Sequence, residues 1–332
     1  MSKSIVVTGG AGYIGSSLVS ALLDQGNRVT VVDDLSFGGE SLLAFQRFER
    51  FRLVKVDICS TRVLHQAMQG ADGVVHLAAL VGFPACQRAG REATWRVNVE
   101  GTRCVHEAAA RAGVSRFVYA SSYSNYGHAE RDSIVTEESP LFPQSLYAES
   151  KIAAERFLLD QASHDYVIPV CLRLATVFGV SPRTRFDLMV NQFVLDAFAK
   201  RRLILYQQDF KRSFVHVSDV ARAISCVLDA TDDQVGGHVF NIGSEKLNTT
   251  KSHLVRILKS HWPDVTVELR EVDFGSDMRS LHVSFEKARR VLGFEAQMSL
   301  EEGISELCWA LESRVIQEPQ SDRYRNHPPI LV

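Results

Sequence analysis

Tyr147 and Lys151 stand four positions apart in LYAESKIAAERFL, a spacing suited to proton transfer. A free phenol has a pKa of about 10 and is a weak base at neutral pH. Residues at i and i+4 share a helix face, so an ammonium one turn on stabilises the phenolate. Beside a nicotinamide, such a phenol can exchange a proton with a substrate hydroxyl while the ring takes the hydride. The pair gains meaning from a glycine-rich turn, TGGAGYIG, at residues 8–15.

That turn lies between a short apolar run at residues 3–8, read as a buried strand, and SSLVSALLDQG, read as a helix. Small turn residues let backbone approach a pyrophosphate, whose charge the N–H groups at the helix start stabilise. Gly9, Gly12, Tyr13, Ile14 and Gly15 are therefore the candidate pyrophosphate contacts. RVTVVDDL reads as the next strand, and its Asp33 falls 18 positions after Gly15. A carboxylate at this spacing meets the adenosine ribose 2′-OH and repels a 2′-phosphate. Asp34 follows it, and no Arg or Lys lies close behind, so NAD is expected rather than NADP.

Further strand-like runs are FRLVKVD (51–57), GVVHLAA (73–79), RFVYASS (116–122) and YVIPVCLRL (166–174). Helical stretches separate them, notably 91–112 and 145–163. This alternation predicts an α/β fold, a doubly wound parallel Rossmann sheet with a smaller mixed α/β substrate-binding lobe. Ligands of such sheets bind at the carboxyl ends of the strands. The crevice then receives Asp57, Ile58, Leu77, Ala78, Ala79, Ser121 and Ser122. Asp57 could meet the adenine amino group or cap the helix after VDICS.

The 332 residues suffice for one large α/β unit or two domains sharing an interface. A net charge of −2 offers no electrostatic case for nucleic acid or an anionic membrane. MSKSIVVTGG lacks the long apolar stretch of a signal peptide, and no apolar run approaches the roughly 20 residues that span a bilayer. The six cysteines are scattered, which suits reduced thiols in a cytoplasmic protein. His76, His128 and His216 lack ligand spacing, and no metal is expected.

With TGGAGYIG, Asp33, HLAA, VNVEGT, SS preceding YG, and YAESK in this order, the chain resembles the extended short-chain dehydrogenase/reductases. It looks most like the NAD-dependent sugar-nucleotide epimerase/dehydratase family, of the UDP-glucose 4-epimerase kind. The likeness continues through LRLATVFG, RSFVHVSDVARAI, FNIG, SDMRS and EKARRVLGF. It implies a catalytic set of Ser122, Tyr147 and Lys151. In that set Ser122 hydrogen-bonds the sugar O4, Tyr147 moves the proton and Lys151 holds the nicotinamide ribose. Ser121 is the alternative one residue away, Asn98 is implied as a supporting residue, and His128 is a weaker candidate acid. The implied activity is epimerisation of a nucleotide-diphosphate sugar through transient oxidation at C4. The alternative is a dehydrogenase, reductase or 4,6-dehydratase of the same family.

Three positions depart from the family pattern. Dehydratases of the family carry Asp-Glu directly after the triad hydroxyl, where this chain has Tyr123 and Ser124. Thr176 stands where many relatives have Asn. These three are read as sugar-pocket residues. The resemblance also implies that Asp187, Leu188, Arg212 and Arg279 meet the diphosphate. It divides the chain into an NAD-binding domain (1–174, with 212–243 returning to it), a substrate lobe (175–211 and 244–315) and a tail (316–332). VHVSDVARAISCVLD (215–229) reads as a strand and helix packing on the sheet. Trp95, Val99 and Cys104 on one helix, with Ile152, Phe157 and Leu158 on the other, suggest apolar surface for a homodimer.

Overall fold

The computed structural model describes residues 2–127, 133–162, 166–206, 208–270 and 281–326. Its centre is a sheet of seven strands: β1 (Ser4–Thr8), β2 (Arg28–Asp33), β3 (Phe51–Lys55), β4 (Gly73–His76), β5 (Arg116–Ser122), β6 (Ile168–Leu174) and β7 (Val239–Ile242). Their order is β7-β6-β5-β4-β1-β2-β3, and every pairing is parallel. The strand order reverses between β1 and β4, which opens the crevice in which doubly wound sheets bind ligands.

Both faces of the sheet are covered, so its strands are apolar almost throughout. Alternate residues of β5 enter different cores. Phe117 and Tyr119 pack with Leu64, Val105 and Leu158, whereas Val118 packs with Val7, Val31 and Val227. The first core lies under helices α2 (Thr61–Met68), α4 (Gly101–Ala112) and α5 (Leu146–Gln161). The second lies under α1 (Tyr13–Asp24) and Val217–Asp229, two helices that pack together.

The stretch 91–112, expected as helical, is helical throughout, and the break falls just before it. A helix α3 (Phe83–Trp95) is interrupted at Gly90, whose φ is +81° and ψ +171°; a π-type turn follows at Arg96–Glu100 before α4 begins. Such wide turns place side chains that a regular helix would not. Here the turn carries Asn98.

A third core, including Phe178, Phe186, Phe214, Leu254, Leu258 and Leu307, belongs to the second half of the chain. Lys211–His216 does not join the seven-stranded sheet. It pairs with Thr176–Phe178 in parallel and Asn248–Thr250 antiparallel, and only the helix after it reaches the sheet. Of the six apolar residues expected at a dimer face, Val99, Ile152 and Leu158 are buried within the subunit and Cys104 is half-buried. Trp95 and Phe157 are half-buried, with the guanidinium groups of Arg91 and Arg103 over their rings. No helix among the described residues is long and apolar enough to cross a membrane.

One buried ion pair binds α5 to the strand ends. Glu155 accepts from Arg173 Nη2 at 2.5 Å and from Nε at 3.2 Å, and its Oε2 accepts from Ser121 Oγ at 2.6 Å. Arg173 also donates to Tyr126 Oη (2.9 Å), which donates to Asn241 Oδ1 (2.6 Å). The two charged side chains are 2% and 5% exposed, so neither can fall back on water. Removing one partner of such a pair costs about 3–5 kcal/mol. Glu155→Ala is expected to lower the unfolding free energy by about that much in urea titrations; a loss below about 1 kcal/mol would contradict this account.

Candidate active site

The glycine turn connects β1 to α1 at the strand-order reversal. Gly9 has φ +72°, and a Cβ there would lie 2.6 Å from Ala78 N. A Cβ on Gly15 would lie 2.1 Å from Gly9 O. These two positions must be glycine because backbone packs on backbone there. A Cβ on Gly12, by contrast, would meet only Gly9 O within 4 Å. The helix that Gly12 opens has no side-chain cap and no acidic residue in its first turn. Open backbone at a helix N-terminus fits a pyrophosphate. Tyr13 turns away from that edge to donate to Gly179 O at 2.9 Å, and Ile14 is half-buried against the core beside α1.

Asp33 ends β2. Its carboxylate accepts from Ala11 N (3.0 Å) and Leu35 N (2.9 Å), which orients it at the rim of the turn. Burial pushes its pKa up, and the two backbone N–H groups oppose that rise. Asp34 only turns back to the Ser36 amide. Leu77, Ala78 and Ala79 are half-buried just past β4, with Leu77 N donating to Thr8 O. Asp57 does not cap the following helix, whose N-cap is Ser60; it closes the turn ahead of it, accepting from Cys59 N at 2.8 Å, and pairs with Arg96 at 2.7 Å. The Cys59 amide is the main cause of its lowered pKa. Ile58 is buried against Gly101.

Tyr147 and Lys151 lie in the first turns of α5, whose N-cap is Ser145; the Ser145 hydroxyl accepts from Ala148 N. Lys151 is 3% exposed. Its ammonium donates to Ala120 O at 2.8 Å, lies 4.7 Å from the Tyr119 ring centre and 6.0 Å from that of Tyr147. Burial pulls its pKa from 10.5 down to about 8. Asn98 brackets this helix. It accepts from Leu80 N, and its amide group donates to Leu80 O and to Ser150 Oγ. Ser150 in turn donates to Tyr147 O. Asn98 thus acts through the loop after β4 and through α5.

Ser122 ends β5 and its Oγ accepts from Ser124 N at 3.1 Å, leaving its own hydroxyl proton for another acceptor. Ser121 is unsuited to the role, since it is committed to Glu155 and receives Asn125 Nδ2 at 3.1 Å. Two of the three departures from the family pattern meet each other: Tyr123 Oη and Thr176 Oγ1 are 2.7 Å apart. Thr176 opens a strand more than fifty residues downstream, so the sequence held no sign of this pairing.

The phosphate residues divide. Leu188 is the residue before a helix, Met189–Lys200, that has no side-chain cap, and Arg212 is buried on its strand. Asp187 engages its carboxylate within the lobe. Its side chain is 1% exposed, it is held by Arg185 at 2.9 and 2.8 Å, and it accepts from Asn326 N at 3.0 Å. A carboxylate neutralised this way serves the lobe's packing. Arg279 and His128 lie outside the described residues. The nitrogens of His76 are taken by the Thr8 and Thr102 hydroxyls, and burial lowers its pKa to about 3, so it stays neutral. His216 is bound to Ser218 and to Glu306 at 2.7 and 2.6 Å.

A dinucleotide cleft at the switch point of a doubly wound sheet, with a Tyr-x-x-x-Lys helix beside it, defines a nicotinamide-dependent enzyme of short-chain dehydrogenase/reductase type. The chain matches the NAD dependent epimerase/dehydratase family over residues 5–243. It belongs to that family, and its cofactor is NAD. It is 32% identical to a dTDP-glucose 4,6-dehydratase of Streptomyces griseus over 96% of this chain and 97% of that one. A UDP-glucose 4-epimerase of Mycolicibacterium smegmatis is 30% identical over 90% and 96% of the two chains. DesIV, a dTDP-glucose 4,6-dehydratase of Streptomyces venezuelae solved with NAD bound, superposes with a TM-score of 0.83. It is 29% identical, over 95% of this chain and 99% of that one.

Two measurements test this site. Between about pH 8 and 10.5 the unfolded chain holds more protons on Lys151 than the folded one does, so folding gains stability as pH rises through that window. Urea titrations of cofactor-free protein at about pH 7 and about pH 10 are expected to show wild type gaining on the order of 2–3 kcal/mol relative to Lys151→Met. Equal pH dependence of the two proteins would refute a desolvated ammonium. Separately, Asp33→Ala should narrow the NAD-over-NADP affinity ratio by titration calorimetry, and an unchanged ratio would remove Asp33 from the ribose.

Proposed function

We propose that this protein is an NAD-dependent epimerase of a nucleotide-diphosphate sugar, inverting the configuration at C4. The observation that carries this reading is a full Ser122–Tyr147–Lys151 set beside a neutral hydroxyl pair, Tyr123 with Thr176. Removing water across C5 and C6 calls for an acid and a base. The two positions where the family's dehydratases carry carboxylates hold Tyr123 and Ser124, and the Tyr123 hydroxyl is already bound. Reversible oxidation at one carbon needs neither.

NAD, when bound, supplies a hydride acceptor that returns the hydride to the opposite face. Every proton movement belongs to the chain. Ser122 Oγ, accepting from Ser124 N, donates its hydrogen to the sugar O4. Tyr147 Oη takes the C4 hydroxyl proton and later gives it back. Lys151 supplies the positive charge that favours the phenolate, at the cost of its own desolvation. Its amine is fixed by Ala120 O, so the charge keeps a constant position through the cycle. Leu188 at the helix start, Arg212 and Arg279 are assigned to the diphosphate; Asp187 is not.

A second reading, 4,6-dehydration, is favoured by the 32% identity to the Streptomyces griseus dehydratase. The product separates them. Incubation with UDP-, dTDP-, GDP- and CDP-hexoses, followed by NMR, should give the C4 epimer of at least one, with no accumulation of NADH. A 4-keto-6-deoxy product would overturn the epimerase reading in favour of the dehydratase. Tyr147→Phe should cut turnover by about 10²–10⁴-fold while retaining bound NAD. Full activity in that variant would remove Tyr147 from the chemistry.

A further inference from the structure

Residues 316–326, in a tail expected to be irregular or docked on the surface, are docked at defined points. Tyr324 O accepts from Phe186 N at 2.8 Å, and the two rings meet edge to face at 5.9 Å. Asn326 N donates to the buried Asp187 carboxylate at 3.0 Å. The main link is Arg183. Its Nη1 donates to Asn326 Oδ1 at 2.7 Å and its Nη2 to Arg325 O at 3.1 Å, while its Cζ lies 4.9 Å from the centre of the Phe37 ring. One guanidinium therefore connects three parts of the chain that are distant in sequence: the loop after β2, the start of the second lobe and the tail.

These three parts enclose a cavity of about 430 Å³, lined by Ser36, Phe37 and Gly38 on one wall and by Arg183 and residues 322–326 on the others. None of Ser122, Tyr147 and Lys151 lines it. The loop wall begins three residues after Asp33, whose carboxylate is the expected partner of the adenosine ribose, and Asp33 and Arg183 are close enough to influence each other's ionisation. Arg183 is 8% exposed, and its Nε is buried with no hydrogen-bond partner among the described residues. A buried guanidinium nitrogen without an acceptor is costly, and a ligand oxygen in the adjoining cavity would relieve it. Such an acceptor exists on the ribose of a bound dinucleotide.

The loop itself is tightly wound. Leu35 has φ +61°, a conformation that a branched residue adopts under constraint, and Ser41 Oγ donates to Ala11 O to tie the far end of the loop to the glycine turn. The loop cannot swing away from Asp33 without breaking the Arg183–Phe37 stack or pulling Arg183 off the tail.

We propose that Arg183, Phe37 and the tail at 322–326 form a clasp over the adenosine end of the cofactor cleft, which retains NAD between turnovers. An enzyme that reduces and reoxidises its cofactor within one cycle gains from not exchanging it, so the clasp fits the epimerase reading and rests on it for its purpose. The binding claim itself rests only on the NAD site.

The test measures cofactor release directly. Protein is loaded with NADH, mixed with excess NAD, and the release rate is followed by loss of bound-nucleotide fluorescence. Phe37→Ala removes an exposed ring and Asn326→Ala removes one acceptor from Arg183; both are mild changes for folding. Each is expected to release NADH about tenfold faster than wild type, the change expected on losing one interaction to a charged group. The unfolding of cofactor-free Phe37→Ala, whose ring is exposed, should be unaltered. Arg183→Met should release faster still. Unchanged release in Phe37→Ala and Asn326→Ala would overturn the clasp, whether or not stability falls. Failure of the wild type to epimerise any sugar nucleotide would sink the catalytic reading and leave this rate measurement intact.

Discussion

The ammonium of Lys151, withdrawn from water between helix α5 and the end of β5, is the constraint around which the site is arranged. A buried cation stays charged near neutral pH only if fixed dipoles and rings replace its hydration. Ala120 O and the Tyr119 face do so here. Both belong to β5, the strand that ends in Ser122. The position of the cation, the height of Tyr147 on its helix and the location of the serine hydroxyl are therefore one geometric fact. The Glu155–Arg173 pair, one turn further along α5, holds that helix to β5 and β6. A shift of α5 would have to expose or separate two buried charges, which few proteins can tolerate.

The second lobe is coupled to the dinucleotide turn through α1. Tyr13 donates to Gly179 O, and Ser181 Oγ donates to Tyr13 O at 2.7 Å while lying 3.0 Å from Ser16 Oγ. The residues that open the pyrophosphate site thus also carry the loop that leads to Arg183 and Asp187. Tyr13 is buried, and burial pushes its pKa far up, so it acts as a neutral hydrogen-bond donor.

Overall likeness and local chemistry point in different directions for the reaction. Whole-chain identity is highest to a dehydratase among the relatives described, by a margin of 2 percentage points over the epimerase. The sheet, the glycine turn and the oxidation step are needed by both reactions, so overall identity does not separate them. Two residues next to Ser122 bear on the difference, and the structure gives one of them a neutral hydroxyl partner instead of solvent or a base.

Patterning along the chain was enough for the parallel sheet, the glycine turn and the Tyr147–Lys151 helix face, because each depends on near-neighbour pattern: short continuous apolar runs for strands buried on both faces, four residues on a helix, eighteen from turn to carboxylate. Asn98 was legible only by likeness, and its real work, holding Leu80 and Ser150 together, comes from a π-type turn that no periodicity announces. Asp187 looked like a phosphate contact from its place before a helix, yet an arginine two residues earlier and an amide 139 residues later neutralise it. The choice between Ser121 and Ser122 depended on where Glu155 lies, and Tyr123 met Thr176 only once two distant segments were folded together. Local spacing sets which residues can share an element; whether a polar group is spent on its neighbours or left for a ligand depends on partners that the chain brings back from far away.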